Sequence, residues 1–314
     1  MWPFDRTPAI DPTHGDPRAR ALVNALTVQD RNTVRACLAD VHDPDARAFL
    51  ISLAADVPGV QDWIPRWIEE EPDSTLPLLI RGCHGVWWAW EARGAARAEY
   101  TSKDRFEEFF RRLRIAENCL DEVTARTPED TTAWAFLTAS ARGRQVQPDE
   151  AAARFDAVLK YAPEHVMAHE QRLQYLCKKW FGSHEEMFSF ARAAAGRATP
   201  GSLVHNIIPA AHIEYWLSLP SGEDQEHMRN PQVRQELVAA TYQSVLNPAF
   251  RFVPGWPSRA NTFAMALHMS GEYAHAARVF DLIGDHVTEW PWEYRGNAAK
   301  QFVSARKDAY AFGR

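Results

Sequence analysis

The side chains that could do chemistry in this chain are mostly histidines and arginines at helical spacings. His165 and His169 stand four residues apart, which lets two imidazoles share one face of a helix and one metal ion. Between them lie Val166, Met167 and Ala168, so the glutamate of a zinc-protease helix is missing, and no third ligand follows. His184-Glu185-Glu186 lacks a second histidine. There is no glycine-rich phosphate loop, no dinucleotide fingerprint and no Gly-x-Ser-x-Gly elbow. No serine or cysteine stands in a context that would activate it as a nucleophile. The sequence therefore names no catalytic residue, and the expectation is no metal and no cofactor.

What it offers instead is polar stripes on apolar helices. In the segment from residue 75, Leu76, Leu78, Leu79, Ile80, Cys83, Val86, Trp87, Trp88 and Trp90 make a helix apolar nearly all round, which places it centrally. Gly82 and Gly85 would let a neighbour approach closely. Against that background Arg81, His84, Trp88 and Glu91 follow one stripe at i, i+3, i+7 and i+10. Polar groups on a buried helix must be paired or must line a cavity. Later segments repeat the theme: His169, Arg172 and Lys179 share one stripe, His205 and His212 another, Asn261 and His268 a third. If these stripes converge, they form a basic, histidine- and tryptophan-lined groove suited to an anionic ligand. If they do not, each is a separately solvated face or an internal ion-pair network. Arg81 carries the sharpest expectation, because a guanidinium on an apolar helix needs a partner and its fork suits a carboxylate.

The elements that would position these residues are helices throughout. Period-2 alternation is nearly absent, and Pro, Gly, Asp and Asn punctuate helical periods. Residues 1–15 read as an irregular lead. Short helices are predicted at about 17–27, 30–40, 44–56 and 60–70, with Asp30 and Asp43 as N-caps. Long helices follow at about 75–98 and 103–126. Paired helices come next at about 130–143 with 149–161, 165–180 with 184–197, 202–218 with 231–246, and 258–270 with 272–283. A closing helix is predicted at about 292–311. Asn230-Pro231 is a helix start, and Pro209 is expected to kink the helix around it. The domain reading is the lead, helical hairpins over 16–74, and helical repeats with a capping helix over 75–314, continuous with the hairpins.

A run of short antiparallel pairs is the mark of an α-solenoid, because no hairpin buries its apolar face alone. Phe263-Ala264, Leu267, Gly271-Glu272-Tyr273, Ala276 and Phe280 resemble a tetratricopeptide repeat. Trp134, Leu137, Ala151, Phe155, Leu159 and Pro163 resemble a second. Ala116, Leu120, Val123 and Pro128 match the second helix of a third, while Gly182-Ser183, Met187, Ala191 and Ala194 match less closely. The interval from Pro128 to Pro163 is close to the repeat length of about 34 residues. Leu79-Ile80-Arg81-Gly82, Trp88 to Gly94 and Lys179 to Ser183 resemble a bacterial family of tetratricopeptide-like proteins of unknown function. The resemblance implies an all-α, tetratricopeptide-like solenoid of antiparallel hairpins and supplies no activity.

The bulk properties narrow the function classes. With 46% hydrophobic and 24% charged residues, the 314-residue chain can bury a large core. A net charge of −6 without any Lys/Arg-rich run argues against nucleic acid. No run approaches the ~20 apolar residues that cross a bilayer, and Met1 to Arg6 do not open a secretion signal, so a cytoplasmic protein without a membrane partner is expected. Cys37, Cys83, Cys119 and Cys177 are widely spaced, each on a predicted helix, and read as buried reduced thiols. The twelve tryptophans, including Trp87, Trp88, Trp90 and Trp134 on successive first helices, read mainly as core. The leading expectation is an interaction module that takes a peptide, a protein terminus or another anionic ligand. The alternative is a small-molecule enzyme built around an all-helical, Trp-rich cavity.

Overall fold

The computed structural model describes residues 7–94 and 102–313. Among them all regular structure is helical, in sixteen α-helices with short 3-10 turns, as the periodicity predicts. The first six residues of the lead and the end of the helix expected at 75–98 lie outside the described residues. No helix is long and apolar enough to cross a membrane among the described residues. The chain divides into two compact units, one spanning Asp16–Tyr175, the other running from Leu176 onward together with the N-terminal segment that ends at Gly15. The division falls between Tyr175 and Leu176.

The first unit contains α1 (Pro17–Thr27), α2 (Arg31–Ala39), α3 (Pro44–Asp56), α4 (Val60–Glu70), α5 (Thr75–Arg93), α6 (Lys103–Arg126), α7 (Thr131–Arg144), α8 (Pro148–Leu159) and α9 (Val166–Tyr175). Side-chain caps fix several starts: Asp30 accepts from the amides of Asn32 and Thr33, Asp43 from Ala46, and Asp130 from Ala133. α5 is the central helix that its composition demands, with Leu79, Ile80, Cys83 and Val86 at most 1% exposed. It packs antiparallel on α6. Gly82 lies opposite Leu120 and Gly85 opposite Ala116, while Trp90 meets Phe109 at 4.9 Å. A β-carbon on Gly85 would sit 2.9 Å from that of Ala116, so the two glycines set the helix separation. Gly85→Val should push the helices apart and cost about 1–3 kcal/mol. A melting temperature equal to the wild type's would show that this contact is not tight.

The second unit contains α10 (His184–Arg197), α11 (Ile207–Trp216), α12 (Glu223–Arg229), α13 (Pro231–Gln243), α14 (Trp256–Ser270), α15 (Tyr273–Ile283) and α16 (Ala298–Phe312), with 3-10 turns at Leu203–Asn206 and Trp292–Arg295. Its core joins α14, α15 and α16: Phe263, Leu267, Ala276, Phe280 and Phe302 are all but sealed. Trp292 stacks on Phe280 at 6.0 Å and meets Phe302 edge-on at 5.7 Å.

Three details differ from the sequence reading. α9 ends at Tyr175, so Lys179 and Cys177 lie in the turn that follows, and Lys179 shares no helical stripe with His169 and Arg172. The turn is closed by Gly182, where a β-carbon would collide with the Leu176 carbonyl. Pro209 does not kink a helix. It stands in the first turn of α11, where its missing N–H has no intrahelical acceptor to lose, and the preceding residues form the 3-10 turn that holds His205. The stretch before Asn230, read as a connection, contains α12. All four cysteines are buried thiols.

Candidate functional site

The sequence-derived residues divide between the two units, six in the first and five in the second. In the first unit, Arg81 is partly exposed and, among the described residues, has no hydrogen bond or ion pair. His84 is buried and donates from Nδ1 to the Ala55 carbonyl at 2.7 Å; burial, above all, pulls its pKa down. Trp88 lies 6.0 Å from His84 and carries the Arg112 guanidinium 3.7 Å above its ring. Glu91 is exposed. His169 is buried, bonded to the His165 carbonyl at 2.9 Å and edge-on to Phe155. Arg172 lies over the Tyr175 ring.

In the second unit the polar residues fall into two sets. His205 and Asn261 belong to the fold. His205 bonds the Thr199 carbonyl at 3.2 Å. Asn261, fully buried, donates to the carbonyls of Pro257 and His286 and accepts from Trp292 Nε1 at 2.7 Å. Those bonds use both amide donors and one acceptor position of the oxygen within the fold. Lys179, His212 and His268 border two cavities or the helix between them.

α11 explains this arrangement. Its first eight residues are all buried, so its polar members must find partners. Glu214 is met by Lys179 at 2.6 Å. His212 sits between two groups: Nε2 lies 3.2 Å from Glu236 of α13, and Nδ1 lies 3.0 Å from Nε2 of His227 on α12. Arg192 of α10 closes the far side of Glu236 through contacts of 2.8 and 3.0 Å. Hydrogen bonds from His212 and Arg192 outweigh burial and hold the Glu236 carboxyl down to about 2. Burial, with the neighbouring His212, pulls His227 down to about 4. Because the partners address opposite nitrogens of His212, the three side chains do not converge on a point, and among the described residues no group of His, Cys, Asp and Glu could hold a metal.

One cavity, of about 270 Å³, is lined by Cys177, Lys178, Lys179, His184, Met187 and Glu214. Its main charges already neutralise each other in the Lys179–Glu214 pair. The other, of about 190 Å³, is bounded by Trp216, Met228, Arg229, His268, Tyr273 and Arg295. His268 Nε2 faces Asp308 at 3.0 Å and therefore donates there. That leaves Nδ1 to accept from Arg295 at 3.5 Å. Burial lowers the His268 pKa, Asp308 opposes that and Arg295 reinforces it. Among the described residues neither Arg229 nor Arg295 has a carboxylate partner, although both are exposed and border the same hollow. Asp224 also lines it, but its Oδ1 accepts from the amides of Gly222 and Gln225.

Of the ligand-binding candidates read from the sequence, only His268 lines this second cavity and only Lys179 the first. Arg229, Arg295 and Trp216 were missed, and Tyr273 was read only as part of a repeat. Arg229 lies on a short helix without apolar periodicity, and Arg295 lies in a 3-10 turn, so neither falls on a stripe. No protein-family model matches the chain, and no curated protein or solved structure matches it either.

Proposed function

We propose that the protein is a binding module of the tetratricopeptide-like kind, and that it takes the carboxylate of a peptide or protein terminus in the cavity between α11, α12 and α14. The observation that carries this reading is the pair of guanidiniums, Arg229 and Arg295, bordering one cavity without acidic partners among the described residues, in a chain of net charge −6. Each guanidinium presents a planar fork that matches a carboxylate bidentately. The rings of Trp216 and Tyr273 supply apolar contact for the residue that carries the carboxylate. A volume of about 190 Å³ suits one terminal residue and not a folded surface. The repeat reading is supported by the α14–α15 pair. There Gly271 closes α14 in the left-handed conformation, and Ala264, Ala276 and Phe280 are buried at the seam.

The test is an array of short random-sequence peptides displayed with free C-termini and again with amidated C-termini. The free carboxylates should be retained at least tenfold better, and Arg229→Ala and Arg295→Ala should each lose that advantage. Equal retention of amidated peptides, or full retention by both variants, would overturn the proposal.

A further inference from the structure

α12 has two faces with different neighbours. Asp224, Gln225, Met228 and Arg229 look onto the anion cavity. His227, rotated about 130° from the middle of that face by the 100° step of the helix, looks onto α11 instead. There it makes the 3.0 Å contact with His212. The helix is one of the shortest in the chain, packed against α11, α13 and α14. Its only buried residue is Met228. The His227–His212 bond is thus a main polar tie between this helix and the body of the unit, and His227 stands two residues from Arg229 in sequence.

That tie is sensitive to proton count by construction. Two imidazole nitrogens 3.0 Å apart hold one proton between them. With His212 donating from Nε2 to Glu236, its Nδ1 accepts from His227. If His212 gains a proton, it donates to both Glu236 and His227, and His227 shifts its own proton to Nδ1. Both arrangements keep the contact. A further proton puts N–H groups on both facing nitrogens and sets two cations side by side, so the contact must break. The groups around the pair do not relieve this. α11 contributes His212 and Tyr215, whose ring lies 4.6 Å from that of His227. α13 contributes Glu236, which is already shared between His212 and Arg192 of α10. α10 also contributes His184, held against Tyr215 at 4.7 Å. α14 contributes His268, which faces Asp308 and Arg295. On α12 itself, Glu223, Asp224, Glu226 and Arg229 are the remaining charges.

We infer that His212 and His227 are positioning residues for the anion cavity: their shared proton holds α12, and with it Arg229, in place, and full protonation of the pair releases the helix and weakens anion binding. This rests on the cavity reading above. Its sign is distinctive. Protonation of His268, which lines the cavity, would strengthen anion binding as pH falls, and so would any general gain of positive charge. Weakening on acidification therefore points to the loss of α12. The folded protein keeps His227 neutral down to about 4, so release begins as the pH approaches that value.

The experiment uses sulfate, which stays dianionic through this range, titrated calorimetrically against the full chain from pH 7.5 to 3.5, with far-UV circular dichroism at each point. The wild type should keep a constant or slightly rising affinity down to about pH 5, then lose at least tenfold with its helix content intact. His227→Gln cannot become charged and should remove the acid loss. His227→Ala, which removes the imidazole that makes the tie, should show the weakened binding already at pH 7.5, which keeps the test decisive if the wild type unfolds in acid. An acid loss unchanged in His227→Gln, or wild-type affinity in His227→Ala at pH 7.5, would overturn the gate. Sulfate binding that is undetectable at every pH, or indifferent to Arg229→Ala together with Arg295→Ala, would instead overturn the cavity reading.

Discussion

Glu117→Leu is expected to destabilise the first unit by about 3–5 kcal/mol, the cost of removing one member of a buried ionic group. Glu117 lies on α6 with its side chain 9% exposed, and three donors converge on it. Arg144 Nε approaches to 2.9 Å and Arg154 to 2.7 Å, with the Ser140 hydroxyl completing the set. Arg154 is itself only 12% exposed. Burial alone would raise the Glu117 pKa, but attraction to Arg154 and the hydrogen bonds outweigh it, and the net shift is downward. A carboxyl held down in the folded state contributes stability that is complete above its unfolded pKa and is lost as the pH falls through the folded one. The gap between wild type and Glu117→Leu should therefore be largest near neutral pH and shrink in acid. Leucine leaves two half-buried guanidiniums without their common anion, so adding Arg154→Met should recover much of the loss. Urea unfolding at pH 7 and pH 3 measures both effects. A gap that grows in acid, or a loss below about 1 kcal/mol at neutral pH, would show that the network is not what joins α6, α7 and α8.

The helices of this chain were legible because their ends carry local chemistry. Asp30, Asp43 and Asn230 each accept first-turn amides, and Pro17, Pro44 and Pro231 open helices where their missing N–H is harmless. The central place of α5 followed from its composition, and the roles of Gly82 and Gly85 from their spacing. The end of α9 was not legible. No Pro or Gly interrupts the chain before Gly182, and the break depends on a close backbone approach that only the folded turn reveals. α12 was hidden because its seven residues are almost all charged or polar and carry one buried side chain.

The site was less legible than the fold, for a reason visible in His84, His205 and Asn261. A helical stripe says which residues share a side, but not what stands opposite. For these three, backbone carbonyls of Ala55, Thr199, Pro257 and His286 occupy that place. Backbone acceptors leave no trace in side-chain patterning. His212 shows the same limit in another form. Its stripe placed it on one side with His205, whereas its partners come from α12 and α13.

Asn261→Ala should be the second strongly destabilising change, and it should also reach the anion cavity indirectly. The substitution leaves the Trp292 indole N–H and the His286 carbonyl without their partner, while the Pro257 carbonyl keeps its helical backbone bond. An orphaned buried polar group costs roughly 1–3 kcal/mol, and partial relaxation keeps the total below the sum, at about 3 kcal/mol. Trp292 is fully buried and opens the 3-10 turn that ends at Arg295, so its anchor also fixes where that guanidinium stands. Loss of the anchor should weaken sulfate binding severalfold in protein that is still folded. If the effect runs through Arg295, it should vanish when Asn261→Ala is made in the Arg295→Ala background, because the group being positioned is already gone. Thermal melts and calorimetric titration of the two single variants and the double variant measure this. Additive losses of affinity would show that Asn261 acts on the cavity by another route. An unchanged melting temperature would show that its amide is not the clamp the geometry describes.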